Sequence, residues 1–439
     1  MTVVVLPTGY CNIKCAYCFE SEEMRSTAGR PDLSAVERTL DYLLERLPSD
    51  MPVGLHGGEC TMVPQKDLEA LLAMITERRG HSAVQTNGYQ MSPALIGLFK
   101  TYRTKVSISW DGPGELNRFR GPNPNDAEAT RKYTEQLARN VERLREADVR
   151  VSITTVLSRA NASDDEKLDR LKEWMLWLHE RGVTAGRFNP LFRHPADYEM
   201  ELTGDELAHA YTTLFDFVAE KQLMWFPFRE MIDNLLGLSL GPCVFAGCNP
   251  DDTFVYSIFP NGHVGNCDRT MGSGMVPRPE LPRRNVRLEI LKQHHCAGCK
   301  YWRVCHGGCP AHSLGEGTAL TPRFCKADYA LYAHIESRLR GLLPNIRLVV
   351  DGNGRADPFS AICAEPDPSS FRPRPAVPGR PRAAAQAPPA SKGSGAPASS
   401  GPSAPPTSRD SGGPPAPTPA PPPRDGPRRL PLVGGGGAS

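Results

Sequence analysis

From residue 3 to about residue 191 the chain alternates two patterns. Short apolar, β-branched runs occur at residues 3–6, 53–56, 82–86, 105–110, 150–156 and 184–189. Between them, apolar residues recur every three or four positions over residues 34–47, 65–78, 92–99, 127–147 and 164–181. The first period predicts strands and the second amphipathic helices. Strict alternation of the two predicts an α/β fold, a parallel sheet with helices outside it. Six repeats suit a partial (β/α)6 barrel of TIM type better than a closed eight-stranded one. In such sheets the chemistry sits at the carboxyl ends of the strands.

Beyond the repeats, residues 204–222 and 228–238 read as helices that bridge to a segment crowded with cysteine, glycine, proline and short β-like runs, followed by a last helix at 329–342 expected to pack back on the barrel. From about Pro366 the composition collapses to Pro, Ala, Gly, Ser and Arg, which cannot bury a core and predicts a disordered tail. The expected domains are 1–200 (barrel), 201–242 (bridge), 243–345 (cysteine-rich module) and 366–439 (tail). Composition narrows the picture further. The 51 basic and 49 acidic residues give a formal charge of +2, so no nucleic-acid or membrane partner is expected. The apolar start has no basic flank, and no run nears the roughly 18 residues of a membrane helix. A cytoplasmic location is expected. There, thirteen cysteines point to metal or redox chemistry rather than disulfides.

Cys11, Cys15 and Cys18 form a C-x3-C-x2-C loop just after the first strand. Three thiolates are one short of the usual set for a [4Fe–4S] cluster, which leaves one iron open to an outside ligand. A zinc site is the alternative, but structural zinc wants four protein ligands and no fourth is near. The loop resembles that of the radical S-adenosylmethionine (SAM) superfamily, and other motifs follow in the same order. Gly57-Gly58-Glu59 closes the second strand, Gln85-Thr86-Asn87-Gly88 the third, and Ser107, Ser109 and Asp111 alternate on one face of the fourth. The resemblance implies that Gly57, Gly58 and Glu59 bind the SAM amino group, Ser109 its ribose and Arg120 its carboxylate, with Tyr17 near the adenine. Plain readings remain open: a solvated Arg120 and a Tyr17 that merely packs.

The later cysteines carry a second pattern. Cys248, Gly262 and Cys267 are followed by Cys296-x2-Cys299-x5-Cys305-x3-Cys309 and then Cys325. This is similar to the SPASM module, which implies two auxiliary [4Fe–4S] clusters, one on Cys243, Cys248, Cys267 and Cys309, the other on Cys296, Cys299, Cys305 and Cys325. A zinc ribbon on the middle block is the alternative. Cys60 reads as a small buried residue or a hydrogen-atom donor, and Cys363 as a free surface thiol.

Together the resemblances imply a radical SAM oxidoreductase that cleaves SAM reductively and uses the 5′-deoxyadenosyl radical to oxidise a peptide or protein side chain, in the manner of ribosomal-peptide maturases. They also imply an electron donor such as flavodoxin or ferredoxin. One alternative is an anaerobic sulfatase-maturing enzyme, which makes formylglycine from Ser or Cys. Asp268 stands where those enzymes keep a general base, whereas Glu20 stands where they usually carry tyrosine. A second alternative is an aminosugar or aminocyclitol dehydrogenase or epimerase, with Glu20, Glu22 and Glu23 holding a cationic sugar. A third is a metal-stabilised binding protein without catalysis. With ten residues ahead of Cys11, no leader-binding domain is expected before the barrel.

Overall fold

The computed structural model describes residues 2–20, 22–26, 29–191, 197–238, 255–265, 267, 286–313 and 323–352. Cys243, Cys248, Asp268, Cys363 and the proline-rich tail lie outside the described residues. The chain divides into two units, residues 1–372 and 373–439.

All six expected strands are present: β1 (Thr2–Val5), β2 (Val53–Leu55), β3 (Ala83–Thr86), β4 (Lys105–Ser109), β5 (Arg150–Leu157) and β6 (Ala185–Pro190). They pair in parallel, each with its neighbour in sequence. Three further short strands join the sheet: β7 (Met224–Phe226), β8 (Val255–Ile258) and β9 (Val264–Gly265). The order among described residues is β7-β6-β5-β4-β3-β2-β1-β8-β9. The sheet is a partial barrel, open between β7 and β9. β8 comes from the cysteine-rich segment yet lies parallel to β1, Thr2 opposite Val255 and Val5 opposite Ile258. Only β9 runs antiparallel.

Period two sorts the strand residues. Val3, Val5, Val53, Leu55, Val84, Val106 and Ile108 are fully buried towards the helices, while the residues between them face inward. The helices begin where side chains can cap them. Asp32, Ser92, Asp126 and Asp164 each accept a backbone N–H from the first turn, the usual N-cap arrangement. The helices so started are α2 (Leu33–Leu44), α4 (Pro93–Thr101), α5 (Ala127–Glu146) and α6 (Asp165–Glu180). α1 (Glu22–Ser26) precedes them, and α3 (Gln65–Arg79) lies between α2 and α4. α2 ends three residues short of expectation, before Pro48.

The remaining helices are α7 (Gly204–Glu220), α8 (Phe228–Leu235), α9 (Val286–Gln293), α10 (Trp302–Cys305) and α11 (Cys325–Leu342). α11 starts at Cys325 itself, earlier than its apolar pattern suggested. It packs on α7 of the bridge rather than directly on the barrel, with His334 paired to Asp216 at 2.9 Å and Arg323 paired to Glu201. Tyr332 donates to the Val304 carbonyl at 2.9 Å, tying α11 to α10. No helix among the described residues is long and apolar enough to cross a membrane.

Candidate functional site

One cavity of about 590 Å³ runs through the interior of the partial barrel. Cys11, Cys15 and Cys18 line it, and so do Tyr17, Gly57, Gly58, Ser109 and Arg120. Residues that the resemblance implies act together thus line one space. Glu59 stands just behind this wall.

The three-cysteine loop is clamped by backbone hydrogen bonds. Lys14 N–H donates to Gly121 O and Ala16 N–H to Phe119 O, both at 2.8 Å, and Cys11 N–H donates to Arg25 O at 3.1 Å. On its other flank Glu59 N–H donates to Tyr10 O at 2.7 Å. Gly58 is needed there. A Cβ on it would lie 2.0 Å from Gly9 O and 2.4 Å from Tyr10 O, inside any real contact. Burial pushes the Cys11 and Cys18 thiols up to about 11 and raises Cys15 too. Asn87 Nδ2 lies 3.8 Å from Cys11 Sγ. Without metal these groups are protonated thiols, and binding iron must displace their protons. Three soft sulfur donors on one loop, facing a cavity lined by glycine backbone, fit a three-cysteine [4Fe–4S] cluster with one iron open.

Glu59 is 1 % exposed. Its Oε1 accepts from Thr61 N–H (3.2 Å), Thr61 Oγ1 and Thr86 Oγ1 (2.7 Å each), and its Oε2 from Asn87 N–H at 2.6 Å. The carboxylate therefore laces the ends of β2 and β3 together beneath the cysteine loop. Arg120 Nε donates to Asp111 Oδ2 at 3.2 Å, and the Tyr17 hydroxyl donates to the same oxygen. Burial opposes the Arg120 charge, but Asp111 and Tyr17 beside it hold its pKa above the ordinary value. Asp111 Oδ1 accepts Val156 N–H at 2.8 Å, which anchors the cluster of side chains to β5. Ser109 accepts from Gln85 Nε2 at 2.6 Å, and Ser107 meets Thr154 at 3.1 Å. The inner faces of β3, β4 and β5 thus form a polar floor.

Two cationic features of the cavity were not read from the sequence. Arg187 on β6 lines it and donates to Glu230 of α8 at 2.8 Å. Arg25 lines it beside the cysteines. Neither sits in a motif. Cys60 is buried and its thiol donates to Gln85 O at 3.4 Å.

In the cysteine-rich segment, Cys296, Cys299, Cys305 and Cys325 line one small pocket with Tyr301 and Tyr332. Cys309 is buried outside it. Cys267 lines the central cavity instead. Burial raises the Cys305 and Cys325 thiols. Among the described residues no three His, Cys, Asp or Glu side chains converge on a single-ion position. Gly262, at φ +79°, turns the β8–β9 hairpin. A Cβ there would lie 2.8 Å from Ala35 of α2, which accounts for the glycine in the spaced motif.

Residues 5–174 match the family model described as the Radical SAM superfamily. A cysteine-type anaerobic sulfatase-maturating enzyme from Clostridium perfringens is 22% identical over 370 residues, 77% of this chain and 96% of that protein. Among solved structures, anSMEcpe with bound AdoMet and the Cp18Cys peptide superposes with a TM-score of 0.64 at 19% identity, covering 79% of this chain and 99% of that one. SuiB of Streptococcus suis, bound to its precursor peptide SuiA, superposes at 0.53 and 15% identity, covering 74% and 75%. The likeness to both is one of fold.

Proposed function

This chain is a radical SAM enzyme, and on that premise we propose that it oxidises a side chain of a peptide or protein, as a maturase of ribosomally made peptides. The observation that carries the reading is the single cavity that joins the three-cysteine loop, the Gly57-Gly58 backbone, Arg120 and Cys267. When bound, the cluster and SAM supply a 5′-deoxyadenosyl radical that takes a hydrogen atom from an unactivated carbon.

The chain's own residues do the rest. Cys11, Cys15 and Cys18 hold the cluster and leave one iron for SAM. Gly57 and Gly58 let backbone approach the SAM amino group, with Glu59 fixing their turn. Arg120, aimed by Asp111, takes the carboxylate, while Ser109 and Tyr17 serve the nucleoside. The barrel wall keeps water from the reacting carbon. The shared pocket of Cys296, Cys299, Cys305 and Cys325 supports an auxiliary cluster there. Zinc on the same four thiols is the alternative, which the metal count decides. Cys243, Cys248, Cys267 and Cys309 are proposed for a second auxiliary cluster, Asp268 as a base near it, and a flavodoxin or ferredoxin as electron donor. Two auxiliary clusters would accept the substrate's electron and favour net oxidation. The peptides named with anSMEcpe and SuiB support a peptide substrate.

The sulfatase-maturating reading is favoured by the nearly full-length match to the Clostridium protein. Glu20 in place of tyrosine speaks against it. The test is anaerobic reconstitution of the full chain. About twelve irons and twelve sulfides, the sum of three [4Fe–4S] clusters, are expected, with 5′-deoxyadenosine on adding dithionite and SAM. Cys11→Ala, Cys15→Ala or Cys18→Ala should abolish cleavage and leave about eight irons. A colourless zinc protein that leaves SAM intact would refute the reading. Formylglycine on a Cys- or Ser-containing sulfatase peptide would select the second reading.

A further inference from the structure

Among the described residues three arginines line the central cavity, and they are not equivalent. Arg120 is held by Asp111 at 3.2 Å and Arg187 by Glu230 at 2.8 Å. Arg25 has no carboxylate partner among the described residues, and its Nε is buried without any hydrogen-bond partner. Buried N–H groups are nearly always satisfied in native proteins, and Arg25 lines the cavity together with Cys11, Cys15 and Cys18. The Arg25 carbonyl accepts Cys11 N–H at 3.1 Å, so its backbone is fastened to the cysteine loop itself. Its charge bears on the Cys15 and Cys18 thiols. Arg120, whose charge also bears on Cys15, is already assigned to the SAM carboxylate under the proposed function.

We propose that Arg25 is a positioning residue for the iron–sulfur cluster of Cys11, Cys15 and Cys18, donating its guanidinium N–H to the sulfur shell on the Cys15–Cys18 side and raising the cluster's reduction potential. The inference rests on the reading that these cysteines hold a [4Fe–4S] cluster. Net charge and hydrogen bonds to sulfur are among the factors that set cluster potential. Reduction adds one electron to an already anionic group. A cation alongside stabilises the reduced form more than the oxidised one, so the electron needed for SAM cleavage is accepted more easily. A partner outside the metal's first ligands acts in this way.

The experiment compares reconstituted full-length wild type, Arg25→Met and Arg25→Lys. Iron is counted, the cluster is titrated by EPR without SAM, and SAM affinity is measured by equilibrium dialysis. The signal is assigned as the one missing from the Cys11→Ala/Cys15→Ala/Cys18→Ala variant. Arg25→Met should keep wild-type iron but show about a tenfold lower reduced-to-oxidised ratio at fixed potential, about 59 mV for one electron. Arg25→Lys, which restores charge without the Nε–H, should fall between. If Arg25→Met assembles poorly, the lysine variant decides alone by a smaller shift of the same sign. Potentials equal to wild type overturn the proposal. Equal potentials with a tenfold loss of SAM affinity would make Arg25 a carboxylate anchor instead. Wild type without the assigned signal would defeat the cluster reading itself, a different outcome from an unshifted variant.

Discussion

Arg120 and Asp111 form an ion pair whose side chains are 10% and 3% exposed, and Arg120→Met tests what it does. At 3.2 Å and an effective dielectric of about 20, the pair attracts by about 5 kcal/mol. Removing one partner of a buried pair costs about 3–5 kcal/mol, because the other charge stays buried. Asp111 keeps two hydrogen bonds, from Tyr17 and from Val156 N–H, so the lower end, about 3 kcal/mol, is expected. Asp111→Asn strands Arg120 and should cost a similar amount. The double variant leaves no unpaired charge, so the two costs should fall short of additivity by about 2 kcal/mol, within the range for contacting residues. Urea denaturation of the metal-free protein, kept reduced and followed by tryptophan fluorescence, supplies the cycle. Costs that add to within about 0.5 kcal/mol would show that the two residues are uncoupled and that Asp111 does not aim Arg120. Binding is a second readout. Only Nε is bonded to Asp111, so the terminal nitrogens remain for a carboxylate. Asp111→Asn should weaken SAM although Arg120 is intact.

Three other outcomes follow from the geometry. Gly58→Ala forces a methyl against two fixed carbonyls of the Gly9–Tyr10 backbone, so it should displace the cysteine loop and lose about four irons per chain, read by iron counting; full iron content would refute it. Glu59→Gln turns an acceptor of Asn87 N–H into a donor or breaks the Oε1 bonds, and should cost about 1–3 kcal/mol in urea midpoint. Burial raises the Asp328 carboxyl to about 7. It stays protonated in the fold where the unfolded chain, above about pH 4, has already lost the proton. The folded state then binds more protons, so stability of the metal-free protein falls as pH rises from about 4 to 7, by at most about 4 kcal/mol. Asp328→Asn should flatten that dependence, and an unchanged slope between pH 5 and 8 would refute the assignment.

The six barrel strands were legible because short strand-like runs alternate with longer helical patterns, and four of the intervening helices start at a side-chain cap. Asp32, Ser92, Asp126 and Asp164 mark those starts in the sequence as clearly as in the structure. β7, β8 and β9 were not legible as members of the same sheet. They span three, four and two residues, too short for a period to register, and the pairing of β8 with β1 joins residues some 250 positions apart, which no local pattern encodes. The cysteine groups were read from the resemblance of their spacing to a known module; Cys296, Cys299, Cys305 and Cys325 line one pocket. Arg25 was hidden by its setting. In Ser-Glu-Glu-Met-Arg it reads as part of a solvated charged run, and only the fold shows it lining the cavity with its Nε buried. Glu59 differs in another way. The motif implied a carboxylate for the SAM ammonium, and the structure adds that both its oxygens also accept from Thr61, Thr86 and Asn87.

The register of β8 gives the cavity a direction. β1 leads at its carboxyl end to the Cys11–Cys18 loop. β8 runs parallel to β1, but the hairpin reverses the chain, so that Gly265 of β9 pairs with Ser257. Two residues later, Cys267 stands towards the amino end of β8, where Val255 pairs with Thr2. Thr2, Val255 and Cys267 all line the cavity, as do the three cysteines of the loop. Thiols therefore lie towards both ends of one barrel interior, with the polar floor of Ser107, Ser109 and Thr154 between them. A substrate seated on that floor would have the source of the radical towards one end and, under the proposed assignment of Cys267, an electron acceptor towards the other. Hydrogen abstraction and electron removal could then act on the same carbon without the substrate moving. Under that proposed assignment the arrangement would favour net oxidation over simple rearrangement, and β9, though two residues long, contributes the reversal that returns Cys267 to the barrel.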